Sequence, residues 1–222
     1  MNIPPIPAQP KTPTREVLCE DAVAWLRSSG PLSGSSVVSS LPDISEFSGH
    51  TVDQWTSWFV DTARLLLQST PDEGVTVFYQ SDIKCDGIWI DKGYLCQKAA
   101  EGTGHHLVWH KIGCRAPAGT PTHGRCGYSH LLCFSRTVQA EHSTASADVL
   151  PTVGEKSWER GMGQAAAQCI ASFIATHTQS HTIINPFCGQ GMMLAAANAA
   201  GLHSIGIERS PKRADQARVA RF

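Results

Sequence analysis

Thr182-Ile183-Ile184-Asn185-Pro186-Phe187-Cys188-Gly189-Gln190-Gly191 is the stretch that decides the fold. Three β-branched residues form a strand that runs into a Pro- and Gly-rich turn, and the alanine-dominated run to Ala200 that follows has the strongest helix propensity. Gly201 stops that helix, Ser204-Ile205-Gly206-Ile207-Glu208 reads as a second strand, and Pro211 opens a final helix. A strand, a glycine turn, a helix and a second strand ending in a carboxylate make the doubly wound unit that grips a nucleoside at the carboxyl edge of a parallel sheet. The glycines let backbone approach a ligand, and Glu208 can accept hydrogen bonds from both ribose hydroxyls. A dinucleotide fingerprint needs a third glycine three residues after the second. Leu194 occupies that position.

The segment Asn185 to Gly191 resembles motif I of the class I S-adenosylmethionine-dependent methyltransferases. The similarity is strongest to the D-P-F-x-G-x-G form found in DNA and RNA base amino-methyltransferases, with Asn185 in place of the usual Asp. The resemblance implies a Rossmann-like, seven-stranded α/β sheet and S-adenosyl-L-methionine as cofactor. It implies that Asn185, Pro186, Phe187, Gly189 and Gly191 bind the cofactor, with Phe187 and the glycines around its methionine part and Glu208 on its ribose. Only two of the seven strands belong to this segment, so the others must lie upstream. If the family order resumes at the N-terminus, Glu16–Cys19 becomes the third strand, and Glu20-Asp21-Ala22 the acidic turn that brings Asp21 to the adenine amino group. Val37–Leu41 is then the fourth strand and Val75–Tyr79 the fifth. An antiparallel hairpin near 106–114 and 128–134 supplies the last two. The expected domain is therefore a circularly permuted methyltransferase.

In that family the loop after the fourth strand faces the transferred methyl group, which assigns catalytic positions to Ser40, Pro42 and Asp43. Asp43 stands where the base amino-methyltransferases carry a stacking aromatic, so an acceptor base would need another platform, such as Trp55, Tyr128 or Phe47. Asp43 can instead accept a proton or orient a nucleophile. Related permuted enzymes place a segment touching the cofactor carboxylate before the first strand. Lys156 or Arg160 suits that charge here.

No acidic residue lies between Glu101 and Glu141, whereas Lys111, Arg115, Arg125 and Arg136 fall there with five histidines, Trp109 and Tyr128. Cations interleaved with aromatics suit phosphate contacts and base stacking, so Arg115, Arg125, Lys111 and Tyr128 are expected to bind substrate. The absence of a large extra recognition domain favours RNA, such as tRNA or rRNA, over duplex DNA. Two other readings stay open: a methyltransferase acting on protein or a small molecule, and a cofactor-binding subunit that is catalytically silent.

The 222 residues carry a formal net charge of −1, which by itself singles out no partner class. No apolar run approaches the roughly 20 residues of a membrane span, and the N-terminus lacks a signal-peptide core, so a cytoplasmic protein is expected. None of the eight cysteines forms a C-x-x-C pair, and several sit in apolar runs, as reduced core thiols do. No metal is expected; Cys114 and Cys126 with nearby histidines are the minor alternative. The domain plan is a Pro-rich disordered arm over 1–14, an acceptor half over 15–136, a linker over 137–157 and a cofactor half over 158–222. Apolar spacing predicts helices over Thr51–Gln68, Gly87–Ala100 and Trp158–Thr176.

Overall fold

The computed structural model describes residues 12–30, 32–140 and 145–222. In chain order the elements are β1 (Arg15–Leu18), α1 (Ala22–Ser28), β2 (Ser35–Ser39), α2 (Val52–Ser69), β3 (Thr76–Gln80), β4 (Ile83–Cys85), β5 (Ile88–Ile90) and α3 (Lys92–Ala100). Then come β6 (His106–Cys114), β7 (Tyr128–Ser135), β8 (Val149–Leu150), α4 (Gln164–His177), β9 (Thr182–Pro186), α5 (Met192–Ala199), β10 (His203–Ile207) and α6 (Pro211–Val219).

Eight strands form one sheet in the order β1-β10-β9-β2-β3-β7-β6-β8. The first five are parallel neighbours, and β7 runs antiparallel to both β3 and β6. If β9, which carries the glycine turn, is counted as the first strand, the order becomes third, second, first, fourth, fifth, seventh, sixth. This is the permuted seven-stranded arrangement expected from the sequence, with the two-residue β8 added at the edge. The expected hairpin is present as β6 and β7.

Helices cover both faces, which is why the central strands are nearly continuous apolar runs. One face is packed by α1, α2 and α3 through Leu26, Trp55, Phe59, Leu66 and Leu95. On the other, α4 and α5 contribute Ile170, Ile174 and Met193, and α6 adds Ala214 and Ala217 against Val17 and Leu194. A reciprocal cap fixes the start of α2: Thr51 Oγ1 accepts from the Gln54 amide at 3.2 Å, and Gln54 Oε1 accepts from the Thr51 amide at 3.0 Å. Leu194 is fully buried over Gly206, where a Cβ would come within 2.6 Å of its side chain. The helix–strand contact that a dinucleotide fingerprint keeps open is closed here.

Three expectations are corrected. The helix predicted from Gly87 begins only at Lys92, because Asp86 (φ 50°) and Gly87 (φ 79°) form the two left-handed residues of a tight turn joining β4 to β5. The helix predicted from Trp158 begins only at Gln164. A Cβ at Gly163 would lie 2.1 Å from the Val153 carbonyl, so the chain crosses itself there and Glu155–Gly163 stays irregular. The region expected as a linker contributes β8 and the buried Val153. Most of the expected N-terminal arm lies outside the described residues. No helix among the described residues is long and apolar enough to cross a membrane.

Candidate functional site

The carboxyl ends of the five parallel strands open onto one cleft of about 550 Å3, well within the size range of small-ligand sites. Eight lysines and arginines and six carboxylates line it, against a net negative chain.

The wall formed by β9 and β10 is largely backbone. Glu208, 7 % exposed, follows β10, and its two carboxylate oxygens accept from the Gly189 amide (3.1 Å) and the Ser210 amide (2.8 Å). Each oxygen keeps a lone pair for a further donor. The Cys188 amide donates to the Ile207 carbonyl at 2.9 Å and so ties the glycine turn to β10. Burial, assisted by the Glu208 charge, pushes the Cys188 thiol up to about 12, so it stays neutral. Phe187 adopts φ 63°, a left-handed backbone rare for a non-glycine residue and costing of order 1–3 kcal/mol. This strain turns the chain at the carboxyl edge. The buried Asn185 side chain donates to the Val38 carbonyl and locks β9 to β2.

Of the residues expected to hold a cofactor, Asn185, Phe187, Gly189, Glu208, Asp21 and Lys156 line the cleft together. Pro186 and Gly191 do not. Gly191 (φ 84°) instead packs beneath α6, where a Cβ would meet the Ala217 Cα at 2.8 Å, so helix packing accounts for this glycine. Asp21 caps α1 through the Ala24 amide at 2.9 Å, with its residue at the cleft rim.

The irregular segment before α4 folds over this wall. Trp158 lies against Gly189, whose ideal Cβ would be 3.5 Å from the ring, and the Arg213 guanidinium stacks 5.1 Å from the Trp158 centroid. Arg213 reaches Glu208 (3.8 Å) and Glu46 (4.0 Å), and Arg160 reaches Glu46 (3.9 Å). Lys156 sits with Arg115 and Arg125. Its pKa is lowered, first by burial and then by the charge of those two arginines.

The opposite wall is assembled from side chains distant in sequence. Ser40, Pro42 and Asp43 follow β2 into the cleft, together with Phe47, Trp58, Gln80 and Asp82. The fully buried Trp55 donates to the Pro42 carbonyl at 3.2 Å, so it anchors this loop and cannot serve as a stacking platform. Asp43 forms an ion pair with Lys92, whose side chain is only 3 % exposed. Phe47 packs on Trp58 with centroids 4.5 Å apart and takes the place of Trp55 as the aromatic surface of the cleft.

Behind Asp43 lies Asp82, 2 % exposed. It accepts from Tyr128 Oη (2.9 Å), Trp89 Nε1 (3.1 Å) and the Lys92 amide (2.9 Å), and its Oδ1 lies 3.1 Å from His130 Nε2. Burial alone would raise this carboxyl, but His130 and the other donors hold it down to about 2. The His130 Nδ1 lies 3.0 Å from His110 Nε2. Asp82, Asp91 and His130 place donor atoms within 4.8 Å of one another, yet both Asp82 oxygens already serve this network.

Two expected substrate contacts are corrected. Lys111 is 4 % exposed and donates to the Ser146 and Ala147 carbonyls, so it holds the chain before β8 rather than facing solvent. Tyr128 is turned onto Asp82 and does not line the cleft. Arg115 and Arg125 do reach the rim, Arg125 at 3.6 Å from the exposed Glu159. Arg136 is bound to Asp72 away from the cleft.

No family model matches the chain, and no curated protein matches its sequence. Solved structures do match. The PvuII cytosine-N4-specific DNA methyltransferase superposes with a TM-score of 0.71 at 13 % identity, over 94 % of this chain and 87 % of its own. A protein named as a DNA modification methylase from Thermus thermophilus, complexed with S-adenosyl-L-methionine, gives 0.68 at 15 % identity, over 92 % and 91 %. The M1.HpyAVI–SAM complex gives 0.63 at 13 % identity, over 92 % and 98 %.

The chain has a methyltransferase fold. Within it, the glycine-turn wall and the Ser40–Asp43 wall face each other across one cleft, as the permuted strand order requires. Sequence reasoning missed Trp158, Arg213, Lys92, Asp82 and Gln80 as parts of this cleft. Asp82 and Lys92 flank the Asp86-Gly87 turn, and reading that pair as a hairpin signal would have placed both at the carboxyl end of β3.

Proposed function

We propose that this chain transfers the methyl group of S-adenosylmethionine to a nucleic-acid base, with RNA as the acceptor. The observation that carries the reading is the buried Glu208 carboxylate, tied to the Gly189 amide at one side of a cleft whose other side is the Ser40–Asp43 loop. The residues present suit the cofactor. Glu208 keeps lone pairs for ribose hydroxyls, the bare Cα of Gly189 lets the backbone come close to a ligand beside Trp158, and Asp21 stands at the rim for the adenine amino group. Lys156, with Arg115 and Arg125, offers positive charge to the cofactor carboxylate or to a phosphate.

S-adenosylmethionine supplies an electrophilic methyl group, which needs little beyond an acceptor lone pair held in line. The chain's own contribution is therefore placement. Trp55 and Lys92 fix the Pro42–Asp43 loop, and the Phe47–Trp58 pair, its rings tilted 57° to each other, offers an apolar surface to a base. One feature supports a single-stranded acceptor such as RNA: Arg115, Arg125, Lys156 and Arg160 lie on irregular segments around the cleft, a pattern that follows a single-stranded backbone while a base enters. An acceptor on protein or a small molecule that carries no anionic group would make no use of the cations at the rim.

The test is calorimetric titration with S-adenosylmethionine, followed by transfer of labelled methyl groups to RNA, DNA, protein and small-molecule fractions from a strain lacking this chain. Label in RNA supports the reading. Label in DNA corrects the acceptor, label in protein or small molecules overturns it, and tight cofactor binding with no transfer marks a silent subunit.

A further inference from the structure

We infer that Gln80 reads the Watson–Crick edge of the acceptor base, an assignment that rests on the base-methylation reading above. Gln80 is the last residue of β3 and pairs in register with His130 of β7. It is 1 % exposed, and neither Oε1 nor Nε2 has a hydrogen-bond partner among the described residues. Yet the residue is part of the cleft wall, between Tyr79 and Ser81.

A buried amide with both ends unpaired is destabilising, and such groups are rare in folded proteins. The polar groups next to Gln80 in sequence, in sheet register and along the cleft wall are already engaged. Asp82 holds Tyr128, Trp89 and the Lys92 amide, the Lys92 ammonium holds Asp43, His130 faces Asp82 and His110, and Ser81 bonds to Ser129. Both amide atoms are buried, so a partner from the cleft satisfies Gln80 once the side chain turns toward it. A carboxamide presents one acceptor and a donor side by side in a plane. The matching group is planar, with a donor beside an acceptor. Guanine and uracil meet this description through a ring N–H beside a carbonyl, adenine and cytosine through the exocyclic amine beside an unprotonated ring nitrogen, and the second pair is the one assigned to Gln80. Oε1 accepts one amine hydrogen and Nε2 donates to the ring nitrogen, which fixes the amine at the end of β3, across from the glycine-turn wall. This edge is accessible only in a base that is unpaired or flipped out of its stack.

The probes are single-stranded RNA and DNA oligonucleotides holding one adenine or one cytosine in a uracil or thymine tract. Matched strands carry 1-deazaadenine or 3-deazacytosine, which keep the amine and lose the ring acceptor. Labelled-methyl transfer by the wild-type chain should fall about 10- to 100-fold on the deaza strand, the usual discrimination of a two-bond base contact. Gln80→Leu should lose about as much on the natural base and nothing further on the deaza base. It should also melt no lower and bind S-adenosylmethionine unchanged. Equal transfer to natural and deaza strands by the wild type, or full activity in Gln80→Leu, overturns the inference while base methylation stands, and leaves the amide as a site for bound water only. Transfer to neither natural base by the wild type removes the base-methylation reading itself. If Gln80→Leu folds poorly, the wild-type comparison of natural and deaza strands decides alone.

Discussion

The two walls of the cleft are built by different means. The wall proposed for the cofactor is centred on residues close in sequence, Gly189 and Glu208 only 19 positions apart, with the Glu208 carboxylate held by backbone amides. The acceptor-side wall joins Asp43 to Lys92 across 49 positions and Asp82 to His130 across 48, side chain to side chain. A backbone-built wall tolerates drift in its side chains but not the loss of its glycine or its carboxylate. A side-chain-built wall is sensitive at each partner and can be rebuilt by paired changes.

The largest expected effects fall on the cofactor side. Glu208→Ala removes the proposed ribose acceptor and the anchor of the Gly189 amide, and should weaken S-adenosylmethionine binding by about 10- to 100-fold, the range for a charged hydrogen-bonding group. Gly189→Val places a branched residue at φ 55° beneath Trp158 and should weaken it at least as much. Calorimetry on folded variants measures both. Unchanged affinity would dissolve the contrast between the walls, because the backbone-built one would then hold nothing.

On the acceptor side, Asp43→Ala should leave cofactor affinity intact, lower turnover, and destabilise the chain by roughly 2–3 kcal/mol. That is somewhat below the ~3–5 kcal/mol of a fully buried pair, because Asp43 is 24 % exposed. Adding Lys92→Met should restore most of the stability and none of the turnover. Urea unfolding separates these outcomes: a double variant as unstable as the single one would show that Lys92 has another essential partner.

How much of this was legible follows the same division. The glycine turn, Glu208, the permuted strand order and the β6–β7 hairpin were readable because each is a local pattern of apolar alternation, glycine and chain-order logic. Lys92 was not, because a lysine inside the helix predicted over Gly87–Ala100 reads as solvated, and only tertiary packing buries it against Asp43. Lys111 failed for the same reason in reverse: it was read as a free cation and is held by the carbonyls before β8. Trp158 was absorbed into a helix that the Gly163–Val153 crossing forbids.

A pH experiment sharpens the contrast further. Asp82 has its folded pKa depressed from 3.8 to about 2, so its network stabilises the fold above pH ~4, and that contribution is lost as pH falls from there through ~2. Asp82→Asn should flatten the stability–pH curve across this window, measured by urea unfolding at each pH. An unaltered curve would show that the network does not hold the acceptor wall. The smallest effect concerns the rim. Arg115→Ala with Arg125→Ala should weaken RNA binding and reduce its log–log salt slope by roughly one to two units, with S-adenosylmethionine affinity unchanged. Filter binding at several salt concentrations reads it, and an identical slope would make the rim an ordinary solvated surface.

The most direct test is a crystal structure with S-adenosylhomocysteine, the demethylated cofactor. It should show the ribose hydroxyls within hydrogen-bond distance of Glu208, the amino-acid part beside Gly189 and Trp158, and the sulfur facing the Pro42–Asp43 loop. A ligand bound elsewhere, or a sulfur turned away from that loop, would contradict the account.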